Sequence, residues 1–304
     1  MNATSLAVRL RQKTSGITLR SDVEGDGVLP EEFASHVIGS EDRAAGEQLR
    51  VLAGGEVQVA VVLGSGLAEA LDGSEAWGQP DAHGRLSDLP GVLAPVGDGH
   101  VDALRIYRVA TPQRTLRVVV ALGRTHLFEG HGPGPVTAFA RAAYCAGAEV
   151  ALLTNANGCL RDWSLGDVMA VSDHINFSGT SPFDGTVFLD PATCWDAELT
   201  GMLAEVCQRS GTYAFLRGPE YQTTAESRLL AAAGADCVGM STVLEALMFR
   251  ALGVRVCGMS VVSDLSFSVA ATDPAAVLEV AAKARRTVLE GLDVVLSAAS
   301  QLRG

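Results

Sequence analysis

The chain has 304 residues, of which 48% are hydrophobic, 5% aromatic and 19% charged. That balance excludes a disordered polypeptide, a coiled coil and a collagen, and leaves a globular α/β protein. The 23 basic and 35 acidic residues give a formal charge of −12, so attraction to nucleic acid or to an anionic membrane is not expected, and an anionic ligand needs positive groups gathered locally.

In chain order, residues 1–30 are polar and read as a tail or loose cap, and residues 31–304 read as one domain. From Glu31 toward Gly54, charged and apolar residues alternate at helical spacing. The run Val57-Gln-Val-Ala-Val-Val-Leu63 predicts a buried strand, and further strands are expected at Leu104–Val109, Leu116–Leu122, Glu149–Thr154, Asp167–Ser172, Asp236–Val238 and Val254–Val262. Helical periodicity marks Gly134–Ala146, Ala197–Arg209, Thr224–Ala233, Thr242–Leu252 and Pro274–Gln301. No Pro/Ser linker or repeat divides the chain, which predicts a single α/β domain with a large mixed central sheet flanked by helices. No apolar run approaches the ~20 residues needed to cross a bilayer, and the first twenty residues lack a secretory pattern. The six cysteines form no CxxC pair and the six histidines no HExxH, so the expectation is a cytoplasmic protein with reduced thiols and no metal.

Several strand ends carry polar groups suited to chemistry. Gly64-Ser65-Gly66-Leu67 is a turn whose amides and serine hydroxyl suit an oxyanion. A dinucleotide fingerprint requires a third glycine, and Ala68-Glu69 stand there instead. His100 sits in a glycine-rich turn. In Gly123-Arg124-Thr125-His126, extended geometry puts Arg124 and His126 on one face, a planar fork beside an imidazole. Leu153-Thr-Asn-Ala-Asn-Gly-Cys159 reads as a buried strand breaking into a loop that lines a crevice with Gly64–Gly66. Thr223/Glu226 and Thr242/Glu245 fit capping boxes; these explain neither Tyr221-Gln222 nor Met240-Ser241. Asp264 follows a strand at its carboxyl end, either as a cap or as a site residue.

Taken together, Val62–Leu67, Gly123–Gly130, Leu153–Gly158, Ser172–Asn176, Gly218–Glu226 and Gly234–Glu245 resemble the trimeric purine nucleoside phosphorylase family, which includes the 5′-methylthioadenosine phosphorylases. The resemblance covers about residues 55–300. It implies a homotrimeric pentosyltransferase without a cofactor, in which inorganic phosphate, the co-substrate, attacks C1′ of a purine nucleoside and releases the base. By position it implies a phosphate site of Ser65, His100, Arg124, His126, the Ala156 amide and Ser241. Met240 would lie under the ribose with Phe128 beside it, and Tyr221, Gln222, Val238 and Asp264 would meet the base. Catalysis would fall to Arg124, His126 and Asp264. Phe188 would enter the neighbouring subunit's site.

The departures concern substrate choice. Gln222 and Asp264 stand where 6-oxopurine-specific members carry glutamate and asparagine, which favours a 6-aminopurine: Asp264 accepts from the exocyclic amine or, in its acid form, donates to N7. Pro274 replaces a histidine that meets the ribose 5′-hydroxyl, and Phe128 replaces a tyrosine. A 5′-deoxy, methylthio or halogenated adenosine would suit that pocket, although Asp273-Pro274 also reads as the start of the last helix. Asn157 and Cys159 replace small residues, leaving both a base contact and a narrowed loop open. The alternatives are an ordinary inosine/guanosine phosphorylase and a catalytically weak nucleoside-binding paralogue.

Overall fold

A computed structural model of the protein describes residues 17–18, 34, 36–184, 187–267, 280 and 283–302. Nine strands form the main sheet: β1 (Val59–Val62), β2 (Ala82–Gly84), β3 (Leu104–Ala110), β4 (Thr115–Ala121), β5 (Val150–Cys159), β6 (Val168–Asn176), β7 (Arg209–Phe215), β8 (Cys237–Gly239) and β9 (Arg255–Leu265). Their spatial order is β8-β7-β6-β9-β5-β1-β4-β3-β2. The central strands β9, β5, β1 and β4 are mutually parallel, and antiparallel pairs flank them, so the sheet is mixed.

Alternation along the central strands separates two cores. Ala60 and Val62 of β1, Val119 and Ala121 of β4, and Ala151 and Leu153 of β5 face one side. Helices α1 (Ser40–Ala53), α2 (Ala138–Ala146) and α5 (Val243–Ala251) cover them. Val59, Val61, Val118, Val120, Val150 and Leu152 face the other side, under α3 (Ala197–Val206) and α6 (Arg285–Gln301). A period of two on strands buried on both faces produces this three-layer arrangement. Leu230 of α4 (Thr224–Ala232) closes a smaller cluster with Ala214 and Val238. Among the described residues, no helix is long and apolar enough to cross a membrane.

β8 pairs in parallel with β7 and antiparallel with the end of β5, Val238 facing Gly158 and Cys237 facing Cys159. This curls one end of the sheet. Beyond Leu153, β5 parts from β1, which has ended at Val62, and a crevice opens at the carboxyl ends of the parallel strands, where open α/β sheets bind ligands.

Two sequence expectations need correction, and one short strand was not expected. Residues 155–159 are strand, not loop, because β9 and β8 supply their ladder partners. The helix from Ala197 ends at Val206, and Arg209–Phe215 is a strand; its Ser210-Gly211 pair hides that pattern, while Tyr213–Phe215 are buried. The short strand at Ala82–Gly84, only partly buried, carries no apolar alternation to reveal it. Of the expected tail, only Ile17–Thr18 lies among the described residues; it pairs in parallel with Val187–Phe188. The last helix is described as a helix from Arg285 onward, and Pro274 lies outside the described residues.

Candidate functional site

A cavity of about 710 Å³ lies in this crevice. Its lining includes Ser65, His100, Arg124, His126, Phe128, Ala156, Tyr221, Gln222, Val238, Met240, Ser241 and Asp264, so twelve of the thirteen residues named from the sequence meet there. The thirteenth, Phe188, has its backbone beside Thr18, and its side chain lies outside the described residues.

At one end, β1 turns sharply at Gly64. Its amide donates to Thr154 Oγ1 at 2.9 Å, and Thr154 Oγ1 donates to the Val62 carbonyl at 3.1 Å. A Cβ on Gly64 would stand 2.7 Å from the Thr154 oxygen and from Asn155 Cα, so only glycine fits here. The turn presents Ser65, whose Oγ is 3.0 Å from His100 Nε2. Burial, joined by His126 and Arg124, pushes the His100 imidazolium down to about 2, so this ring is neutral at physiological pH.

Arg124 enters from the segment after β4. Its Nη1 donates to the Thr154 carbonyl at 2.7 Å, to Ser241 Oγ at 3.2 Å and to Thr242 Oγ1 at 3.3 Å. Its Nε lies 3.2 Å from Glu245 Oε2, both side chains almost fully buried, and the same oxygen accepts the Thr242 amide at 3.2 Å. The buried Nη2 has no protein partner. The capping reading of Glu245 therefore captures half of its work; the other half is to hold the guanidinium.

His126 follows two residues later. Its backbone amide donates to Glu129 Oε1 at 2.8 Å, and its Nδ1 lies 3.2 Å from the same oxygen. That orients the ring and leaves Nε2 for another partner. Burial alone would raise the Glu129 carboxyl, but the bonds from His126 outweigh it and hold the group below its usual range. Phe128 stacks on the His126 ring, centroids 4.7 Å apart and planes 15° from parallel. Sequence reading missed Glu129, and the His-x-x-Glu spacing is the signal that marks it.

Ser241 stands between β8 and α5, next to Thr242, whose φ of 77° is strained for a β-branched residue. Across the cavity, Gly218 (φ 70°) lets Met240 and Phe128 close together: a Cβ there would meet Met240 Sδ at 2.3 Å and Phe128 Cδ1 at 3.2 Å.

The far end is more open. Tyr221 is 57% exposed; burial of its hydroxyl, with Asp264 and Asp98 nearby, raises its phenol above the usual range. Gln222 donates through Nε2 to Ser266 Oγ at 2.9 Å. In β9 the register slips at Ser263, so Asp264 rather than Ser263 stands opposite Gly158; this bulge brings the carboxylate to the cavity. Asn157 lines the cavity, whereas Cys159 pairs with Cys237 across the ladder outside it. Among the described residues, no cluster of three His, Cys, Asp or Glu side chains could hold a metal ion.

Comparison with known proteins follows the same lines. The sequence profile of the Phosphorylase superfamily matches residues 58–297. The purine nucleoside phosphorylase of Mycobacterium tuberculosis is 40% identical over 215 residues, covering 70% of this chain and 78% of that one. The enzyme of the same name from Cellulomonas sp is 37% identical over 235 residues, covering 76% and 82%. The structure of Schistosoma mansoni purine nucleoside phosphorylase in complex with adenosine superposes with a TM-score of 0.72 at 23% identity, over 88% of this chain and 99% of that one, and so shares the fold. By the extent of these matches, and with the motifs of the cavity inside the matched region, the chain belongs to the purine nucleoside phosphorylase family of the phosphorylase superfamily.

Proposed function

We propose that the protein catalyses the phosphorolysis of purine nucleosides: a phosphate oxygen attacks C1′, the glycosidic bond breaks, and the free base and a sugar 1-phosphate leave. The carrying observation is the Arg124 end of the cavity, where the partnerless Nη2 lies with Ser65, His126 and Ser241 in a chain of net charge −12. The carboxylates of Glu129 and Glu245 are already engaged by His126 and Arg124. What is left over is a set of donors matched to an oxyanion.

In this reading Ser65, Arg124, His126, Ser241 and the Ala156 amide hold the phosphate, with neutral His100 setting the Ser65 hydroxyl. Arg124 and His126 keep the nucleophile below C1′ and carry charge as the bond to C1′ forms. Met240 and Phe128 bound the sugar. Val238 and Tyr221 flank the purine, and Gln222 and Asp264 meet its polar edge. Fixing two reactants this way converts a bimolecular encounter into an oriented one, and an oxocarbenium-like sugar sits between an anionic nucleophile and a departing base.

The relatives carry the name purine nucleoside phosphorylase with no narrower base stated, and hypoxanthine is bound in one solved fold relative. Inosine and guanosine are therefore included as substrates; the Gln222 amide has a carbonyl to accept N1–H. A second, narrower reading is favoured by Asp264, a carboxylate suited to an exocyclic amine, and is adenine-directed. Its extension to 5′-modified adenosines is supported by the apolar Phe128 beside the sugar. Family resemblance supports a homotrimer with Phe188 reaching a neighbouring site, for which sedimentation gives the mass.

The test is base release from inosine, guanosine, adenosine and 5′-deoxy-5′-methylthioadenosine, with and without inorganic phosphate. Phosphate-dependent release with formation of sugar 1-phosphate is expected. Binding without release identifies a nucleoside-binding paralogue and ends the enzymatic reading. Inosine preferred over adenosine by tenfold removes the adenine-directed reading.

A further inference from the structure

Three polar side chains interrupt the apolar interior where β5 and β9 meet. Asn155, Asn157 and Ser260 are 2%, 3% and 0% exposed, a costly placement unless their hydrogen bonds are made. Asn157 Nδ2 donates to Ser260 Oγ at 2.7 Å, Ser260 donates to Asn155 Oδ1, and Asn155 Nδ2 donates to Thr242 Oγ1 at 2.9 Å. Thr242 Oγ1 lies 3.0 Å from Ser241 Oγ.

Arg124 and Asn155 brace the last link. Arg124 Nη1 has two protons; the Thr154 carbonyl takes one at 2.7 Å, and Ser241 Oγ and Thr242 Oγ1 share the other. Thr242 Oγ1 also accepts from Asn155. Ser241 Oγ is thereby held between Thr242 Oγ1 and the guanidinium, and it lines the cavity. The Tyr213 hydroxyl is buried beside Ser241.

Asn157 closes the far end of this chain through its bond to Ser260.

We propose that Asn157, Ser260, Asn155 and Thr242 are positioning residues whose hydrogen-bond chain holds the Ser241 hydroxyl in place to meet the bound phosphate. This rests on the reading of Ser241 as a phosphate ligand. The chain removes the choice of rotamer before the anion arrives, so the donor is oriented in advance.

A double-mutant cycle on the full-length protein tests it, with calorimetric titration of inorganic phosphate and the KM of nucleoside as readouts. Ser241→Ala is expected to weaken phosphate about tenfold or more, the scale of a hydrogen bond to a charged group. Thr242→Val is expected to weaken phosphate about tenfold and to leave nucleoside KM within about twofold; Thr242→Ser, which keeps the hydroxyl, recovers the loss. In the Ser241→Ala background, Thr242→Val should add less than about twofold. An unaltered Ser241→Ala overturns the phosphate reading itself. A weakened Ser241→Ala with full additivity of Thr242→Val overturns the chain while sparing that reading. Asn155→Ala provides the second cycle should Thr242→Val fail to fold, and additivity there has the same meaning.

Discussion

Around Arg124, Thr242 and Asn155 the cavity wall is almost fully buried, and each of these side chains is held by two or more others. Around Tyr221 the wall is half open, and Gln222 is tied to Ser266. The first end holds the Arg124–Glu245 pair and is cross-linked to three strands and a helix; the second presents a bulge, a loop and a helix start. The contrast matches the chemistry proposed for each. Phosphate is the same in every turnover, so its donors gain from being fixed before binding. Bases differ, and a wall with fewer internal bonds can be altered without disturbing the fold.

The largest expected effect breaks the rigid end. Arg124→Ala should lower kcat/KM by about a thousandfold, in the range seen for removal of a preorganised charge stabiliser. It also leaves Glu245 buried and unpaired, at about 3–5 kcal/mol by denaturant unfolding. Adding Glu245→Gln should return most of the stability and none of the activity. Recovery of activity in the double variant would show that Arg124 serves the fold alone.

Asp264→Asn sharpens the open end. It exchanges a carboxyl group for an amide, and should lower the ratio of kcat/KM for adenosine to that for inosine about tenfold while phosphate affinity stays constant. An unchanged ratio removes Asp264 from base selection.

The rigid end also has a pH signature. The His100 pKa lies near 2 in the folded chain against 6.5 for the free group, so below 6.5 the unfolded chain binds the proton that the folded chain refuses. Stability is therefore complete above pH 6.5 and falls as pH drops, by up to about 1.4 kcal/mol per unit. Glu129, held low, adds a loss in the same direction only below about its ordinary 4.5. Urea midpoints between pH 7 and 5 should fall for the parent and fall less for His100→Gln, in which His174, also held low by burial, still contributes; equal slopes would contradict a buried neutral ring.

The smallest effect belongs to the exposed ring. Tyr221→Phe should change nucleoside KM by less than about twofold, and Tyr221→Ala raise it several-fold, since what is lost is one partly solvated stacking face. A large effect of the phenylalanine variant would assign work to the hydroxyl.

Much of this was legible in the sequence. Apolar runs such as Val59–Val62 mark strands buried on both faces, and the glycine turn at Gly64–Gly66 follows from its composition. Period two along Arg124 and His126 foretold two donors on one side, and both line the cavity. Helix starts at Thr223 and Thr242 were visible as threonine followed by glutamate three residues on. These are local properties, fixed by backbone sterics, side-chain period and short-range hydrogen bonding.

Tertiary structure decided what depends on residues far apart in the chain. Asn155–Cys159 is strand because β9 and β8, about 80 to 100 residues later, complete its ladder. The slip at Ser263 selects Asp264, and no property of that segment alone records it. Glu245 and Ser260 look like a cap and a core serine until folding sets them against Arg124 and Asn155. A buried polar group takes its meaning from the partner that satisfies it, and that partner is chosen by the fold.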